Sequence, residues 1–292
     1  MTTAMRAWLM AVRLPTLLIP TIQVATGTGV AYAYAESVNW LLAFYAWLVA
    51  VCVTIGTNLI NDAIDYEKGG DPVNRFGKPK VINAGLLSHT QVFWGGMLAF
   101  AVACAVPLAL DVDQLTCFLI VLLCVVCGYC YTGGPYPISY LGLSELFILI
   151  FYGGVCVIVP FYAQTYMING AIILAALQMG LLAIIPNALN NFRDVAVDTA
   201  AHKRTLAVRF GQEFARMELM VLAITPFILN LGWLFFEKSM AALMPWLLAP
   251  FVYLFLRVIW NNTSGHILNR YFAMSVLIHF FFGILLITGL LI

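Results

Sequence analysis

The segment Asn58–Asp71, "NLINDAIDYEKGGD", closes a run of almost wholly apolar residues and decides how the rest of the chain is read. It packs three aspartates, a glutamate, a lysine and two asparagines into one short stretch, in a chain of which only 9% is charged. Of the 292 residues, 63% are hydrophobic, and the mean hydropathy is +0.96. A soluble domain is roughly half apolar and about a quarter charged, so this composition implies an all-α integral membrane protein. A net charge of +1 and the lack of a long basic stretch exclude nucleic acid as a partner. The N-terminus, "MTTAMRAWLMAVRLPT", has no small-residue cleavage site and reads as an amphipathic segment leading into the first span.

An α-helix needs about 20 apolar residues to cross the hydrocarbon core. Nine stretches qualify: 15–35, 40–60, 91–110, 115–132, 141–162, 170–190, 217–236, 242–260 and 271–292. The connections between them alternate in charge. Of the 14 Lys and Arg residues, all but Lys238 fall on one side of this arrangement. The positive-inside rule puts that side in the cytoplasm, with the N-terminus, and an odd number of spans puts the C-terminus outside. Cys124, Cys127 and Cys130 lie inside an apolar run and read as small packing residues, because cluster ligands come from loops that can wrap an ion. His89, His202, His266 and His279 share no ligand spacing.

The opening segment has a counterpart, "NALNNFRD" at 187–194. Asn58, Asn61 and Asp65 recur as Asn187, Asn190 and Asp194, each displaced by 129 positions. Spacings of three and four stack these side chains along one helix face. Both copies close an even-numbered span and open a long basic loop, so two such stripes facing each other would enclose one polar pocket. The chain therefore reads as one transmembrane domain, 1–292, in pseudo-repeat halves of about 1–135 and 136–292. Carboxylates at this spacing, with amides beside them, suit Mg²⁺, a hard ion held by a few carboxylates while phosphate oxygens and water complete its shell. The interleaved lysines and arginines supply what the remaining charge of a diphosphate needs. A membrane transporter is the competing class, since intramembrane acids and repeats occur there too. Transport acids are expected near the midplane, whereas these gather at the cytoplasmic ends of spans.

Three motifs together resemble the UbiA superfamily of intramembrane prenyltransferases. Asn61, Asp62 and Asp65 match its first Asp-rich motif, and the last aspartate comes late, at Asp71. That spacing is similar to the 1,4-dihydroxy-2-naphthoate polyprenyltransferase branch of menaquinone biosynthesis. So is "NNFRDVAVDTAAHKRTLAVRFG" at 190–211, with His202 standing where that branch commonly has glycine. "YTGGPYPISYLGLSE", Tyr131–Glu145, looks like the branch's signature between spans four and five. The 4-hydroxybenzoate enzymes typically carry a Lys-Arg pair there, and no basic residue occurs here from Tyr129 to Tyr140.

The resemblance implies nine helices in the inner membrane and Mg²⁺-dependent transfer of a polyprenyl group from its diphosphate to an aromatic acceptor. Transfer to 1,4-dihydroxy-2-naphthoate would release CO₂ and give demethylmenaquinone in its quinol form. A futalosine-route purine intermediate and 4-hydroxybenzoate are the other acceptors. Asp62, Asp65, Asp71, Asp194 and Asp198 are then the metal set, with Asp65, Asp194, Tyr131 and Lys203 at the catalytic centre. Asn58, Asn61, Lys68, Asn187, Asn190, Arg193, Lys203 and Arg204 are expected to hold the diphosphate. Tyr131, Tyr136 and Tyr140 are placed to stabilise an allylic cation. Arg75, Lys78 and Lys80 are left between a binding role and the plain charge bias of a cytoplasmic loop.

Overall fold

The computed structural model describes residues 3–69, 80–110, 113–261 and 265–292. A short helix, α1 (Thr3–Val12), leads into a helical bundle. Its long elements are α2 (Leu18–Ala35), α3 (Trp40–Glu67), α4 (His89–Ala105), α5 (Gln114–Cys130), α6 (Ser144–Thr165) and α7 (Gly170–Arg193). They are followed by the short α8 (Val195–Ala200), then α9 (Leu206–Asn230), α10 (Ser239–Asn261) and α11 (Gly265–Leu291). Among the described residues eight helices are long and apolar enough to cross a membrane, where the sequence led us to expect nine. The difference is α5, apolar but only 17 residues long, or about 26 Å of helix. It nonetheless begins where α4 ends and finishes beside the ends of α3 and α7, so it runs the height of the bundle.

In lipid each orphan N–H at a helix start must find a partner within the protein. Asn39 caps α3 by accepting from Leu42 N at 3.1 Å, and Asn169 caps α7 by accepting from Ile172 N at 3.0 Å. Ser88 and Gln91 form a reciprocal capping box at the start of α4. Each cap fixes where a span begins, and so how high its far end stands.

The principal core joins α2, α6, α7, α9, α10 and α11. α7 is its centre: 72% of its most apolar stretch is buried, against 11% for α3. Close packing of α6 on α7 needs glycine, because a Cβ at Gly153 would meet the Ala176 carbonyl at 2.6 Å. Along Leu149–Ile158, the stretch that contains Gly153, α6 takes π-helical hydrogen bonding. α3 packs on α4 and α5 through smaller apolar clusters. Its remaining face, with those of α5, α6 and α7, lines a cavity of about 1080 Å³. The cavity wall follows α3 from Leu42 to Asp65, roughly 35 Å of helix. It is apolar along its length and polar at one head.

Candidate active site

The polar head of the cavity is where α3 and α7 end. Asn58, Asn61, Asp62 and Asp65 line it from α3, and Asn187, Asn190, Arg193 and Asp194 from α7. Asp194 sits at the break between α7 and α8, its N–H donating to Asn190 O at 2.9 Å. α8 then presents Asp198, also on the cavity wall. The chain turns back at His202 in a left-handed conformation, φ 56°. That is the conformation for which glycine is usually chosen, so the histidine keeps the turn at some backbone cost. The turn closes with Lys203 N donating to Asp198 O at 2.8 Å, and Thr205 caps α9. At Gly211 (φ 85°, ψ 175°) α9 breaks before its long span, a conformation open essentially to glycine alone.

Lys203 closes the site. Its Nζ crosses from the second acid-rich segment to Asp65 Oδ2 of the first, at 3.1 Å. The Tyr140 hydroxyl donates to Asp65 Oδ1 at 3.0 Å, while Tyr140 O accepts from Arg204 N at 2.9 Å. The Lys68 and Lys203 ammonium groups each stand 4.8 Å from the centre of the Tyr140 ring. The segment between α5 and α6 thus ties the two acid-rich segments together.

The carboxylates are almost wholly enclosed, with Asp62 and Asp65 2% exposed, Asp194 1% and Asp198 5%. Unpaired charges at that depth are costly, and the protein answers with cations. Asp62 is paired by Arg13 and by Lys80 at 3.1 Å. Lys80 also lies 3.4 Å from Asp65, and Arg193 grips both oxygens of Asp194 at 2.7 and 2.6 Å. Asn269 of α11 accepts from Arg193 at 2.6 Å and fixes its direction.

Several amides are committed elsewhere. Asn58 donates to Thr16 Oγ1 at 3.1 Å, and Asn61 to Thr132 Oγ1 at 2.7 Å. Lys68 donates to Thr132 O at 3.0 Å. The Tyr131 hydroxyl donates to Asn187 Oδ1 at 3.2 Å. Burial pushes the Tyr131 phenol up to about 12, so it stays protonated and remains a donor.

The expected site residues therefore divide. The described aspartates, the four asparagines, Arg193, Lys203 and Tyr131 all line the cavity head. Lys68 and Tyr140 stand directly behind it. Arg204 is exposed, and among the described residues it joins the site through its backbone N–H. Tyr136 is 77% exposed and makes no part of the cavity wall. Asp71, Arg75 and Lys78 lie outside the described residues. Lys80, left between two readings, lies on the cavity wall against Asp62 and Asp65. Arg13, which pairs with Asp62, was not among the expected site residues; the sequence placed it only by charge, on the same side as the acid-rich segments.

Among the described residues no three His, Cys, Asp or Glu side chains converge on one point. The donors instead form two facing walls of hard carboxylate and amide oxygens. That suits Mg²⁺, which takes one or two protein carboxylates and completes its shell with phosphate oxygens and water. Asp62 and Asp65 on one wall and Asp194 and Asp198 on the other fit such a group.

Residues 21–288 match the model of the UbiA prenyltransferase family. The 1,4-dihydroxy-2-naphthoate octaprenyltransferase of Haemophilus influenzae is 31% identical over 218 residues, covering 71% of this chain and 70% of its own. The enzyme of the same name from Bacillus subtilis is 28% identical over 286 residues, 95% of this chain and 89% of its own. A UbiA homolog from Archaeoglobus fulgidus, solved bound to DMAPP and Mg²⁺, has the same fold. It superposes with a TM-score of 0.64 at 16% identity, covering 96% of this chain and 99% of that one.

Proposed function

Because the chain belongs to the UbiA prenyltransferase family and is a membrane-embedded prenyltransferase, we propose that it transfers a polyprenyl group from polyprenyl diphosphate to 1,4-dihydroxy-2-naphthoate. The relatives' names support that acceptor. The observation that carries the reading is the Lys203–Asp65 contact, which brings both acid-rich segments to the head of one long apolar cavity. An isoprenoid tail fits the apolar length and a diphosphate fits the cationic head.

In the transfer the allylic C–O bond breaks and pyrophosphate leaves. A bond forms from the prenyl carbon to the ring carbon bearing the carboxylate, and that carboxylate leaves as CO₂. Mg²⁺ held by Asp62, Asp65, Asp194 and Asp198, with Asp71, would offset the charge that grows on the leaving diphosphate. Lys203, Arg193, Lys80 and Arg13 meet the same charge with donors already held in place by the aspartates. Preset donors lower the barrier because nothing must reorganise as the bond stretches. The Tyr131, Phe147 and Phe151 rings line the wall below and give an allylic cation aromatic faces and no water. Loss of CO₂ in place of a proton leaves no role for a strong general base.

The acid-rich ends face the cytoplasm with the N-terminus, and the C-terminus lies across the inner membrane. The positive-inside bias supports that orientation, and the Lys238 ammonium bonding Leu290 O supports setting Lys238 and the C-terminus on one side. We read the halves 1–135 and 136–292 as repeats, a reading supported by the packing of α3 on α4 and of α7 on α9.

Purified protein would be incubated with Mg²⁺, a labelled polyprenyl diphosphate and a panel of aromatic acids. Prenylation of 1,4-dihydroxy-2-naphthoate, lost in Asp65→Ala and in Asp194→Ala, is the expected result. The reading fails if no acceptor is prenylated or if both variants stay active. Turnover of 4-hydroxybenzoate or a purine-derived intermediate alone would keep the class and remove this acceptor.

A further inference from the structure

Asn187 and Asn191 lie one turn apart on the cavity face of α7, each with its amide pinned the opposite way round. Asn187 Oδ1 accepts from the Tyr131 hydroxyl at 3.2 Å, which leaves Asn187 Nδ2 buried without a partner among the described residues. Asn191 is held in the reverse sense, its Nδ2 donating to Glu145 Oε1 at 2.9 Å, so that Oδ1 is the end left for a ligand. Their side chains stand about 5–6 Å apart at Cβ. One position therefore offers only a donor and the next only an acceptor. Ser139 Oγ, also on the cavity wall and buried, is likewise without a partner. Beside these groups Tyr131 and Phe147 have ring centres 5.3 Å apart, and Phe147 and Phe151 stack at 4.4 Å.

We propose that this amide pair is the acceptor-recognition site, taking an aromatic ring that carries both a carboxylate and a phenolic hydroxyl. The chemistry assigns each group to one residue. An ionised carboxylate only accepts hydrogen bonds, so it pairs with Asn187 Nδ2; a phenolic hydroxyl can donate, so it pairs with Asn191 Oδ1. A buried donor left unpaired is costly, and the acceptor's carboxylate ends that cost when it binds. Tyr131 and Glu145 are positioning residues, each fixing which end of an amide faces the ligand. The Phe147 and Phe151 side chains supply apolar wall beside the pair. Asn187 is thereby drawn from the diphosphate set to the acceptor. The inference rests on the reading that an aromatic acceptor enters this cavity, and it adds which residues read which group.

The test is equilibrium binding, without prenyl donor, followed by naphthalene fluorescence. Three probes are used: 1-hydroxy-2-naphthoate carries both groups, 2-naphthoate lacks the hydroxyl, and 1,4-dihydroxynaphthalene lacks the carboxylate. The unmodified protein should bind the first probe tightest. Asn187→Asp should weaken the two carboxylates by roughly 10- to 100-fold and leave 1,4-dihydroxynaphthalene within about twofold. Asn191→Leu should weaken both hydroxyl-bearing probes and spare 2-naphthoate. Tyr131→Phe keeps the ring but frees the Asn187 amide, and should cost the carboxylates about 2- to 10-fold. The spared probe in each case reports that the variant is folded. Equal loss for all three probes, or no loss in Asn187→Asp, overturns the assignment. Because no turnover is needed, such a failure is distinguishable from failure of the prenyl-transfer reading, which the Asp65→Ala and Asp194→Ala assays decide.

Discussion

Replacing Lys203 with methionine removes one charge and little volume, and it separates a catalytic cation from a structural counter-ion. The ammonium lies 3.1 Å from Asp65 Oδ2 and the Lys80 ammonium 3.4 Å from the same atom. At an effective dielectric of about 20 each attraction is worth roughly 5 kcal/mol before desolvation. Breaking an isolated buried pair costs about 3–5 kcal/mol. Here Lys80 and the Tyr140 hydroxyl stay with Asp65, so the loss in folding stability should be smaller, about 1–3 kcal/mol. The effect on turnover should be larger than that. A preset donor aimed at charge that grows in the transition state contributes about 10²–10³-fold in rate, and Lys203 is the cation that spans both acid-rich segments. The assay is transfer of labelled prenyl diphosphate at saturating acceptor, well below the unfolding midpoint, beside a thermal melt in detergent. Lys203→Met should lower kcat by about 100-fold or more, with the acceptor KM within about twofold. Lys203→Arg should recover most of the melt and part of the rate. If Lys203→Met keeps kcat within about threefold while its melt falls, Lys203 serves only to neutralise Asp65 and the clamp assignment is wrong.

Three further outcomes follow from the same geometry. Mg²⁺ and a prenyl diphosphate together should raise the melting midpoint, and excess chelator should abolish both the rise and turnover; a ligand present at 100 times its Kd stabilises by about 2.7 kcal/mol. An unchanged midpoint with both ligands would argue against the facing aspartates as their site. Tyr140→Phe removes the hydroxyl bonded to Asp65 at 3.0 Å and should reduce kcat measurably, whereas Tyr136→Phe, 77% exposed, should be indistinguishable from the parent. Equal effects of the two would undo the distinction between them. Gly211→Ala meets no neighbouring atom within 4 Å, so its penalty is backbone strain alone. At φ 85° and ψ 175° that penalty should be of order 1–3 kcal/mol in the melt; no loss of stability would mean α9 can straighten.

How far the sequence could be read depends on which interactions are local. The spans were legible because a backbone in lipid must satisfy its own polar groups; α3 and α7 begin where their apolar runs begin, and end seven and three residues beyond them. α5 was the exception, since its apolar run is continued by Tyr131 and Thr132, which leave the helix to reach Asn187 and Asn61. The asparagine–aspartate register was legible for a similar reason: a helix fixes which residues share a face before anything packs against it. What escaped was every contact whose partner is set by a turn. Lys80 and Lys68 carry the same charge in the same loop, yet one reaches Asp62 and Asp65 while the other bonds a backbone carbonyl. Arg13 arrives from far upstream only because its residue takes a left-handed backbone, φ 57°, between α1 and the first span. Tyr136 and Tyr140 are four apart in a motif that spacing treats alike, and a 3₁₀ turn at Ile138–Tyr140 sends only the second toward Asp65. The amide orientations of Asn187 and Asn191 lie further still from the sequence, because each is chosen by a residue on a different helix or turn. The asparagine–aspartate walls proposed to hold Mg²⁺ thus belong to helix periodicity, whereas the cations Lys80 and Arg13 and the amide orientations proposed to read the acceptor belong to turns and tertiary hydrogen bonds. It follows that substitutions at Tyr131 or Glu145 should alter which acceptor is chosen while leaving the facing aspartates where the helices put them.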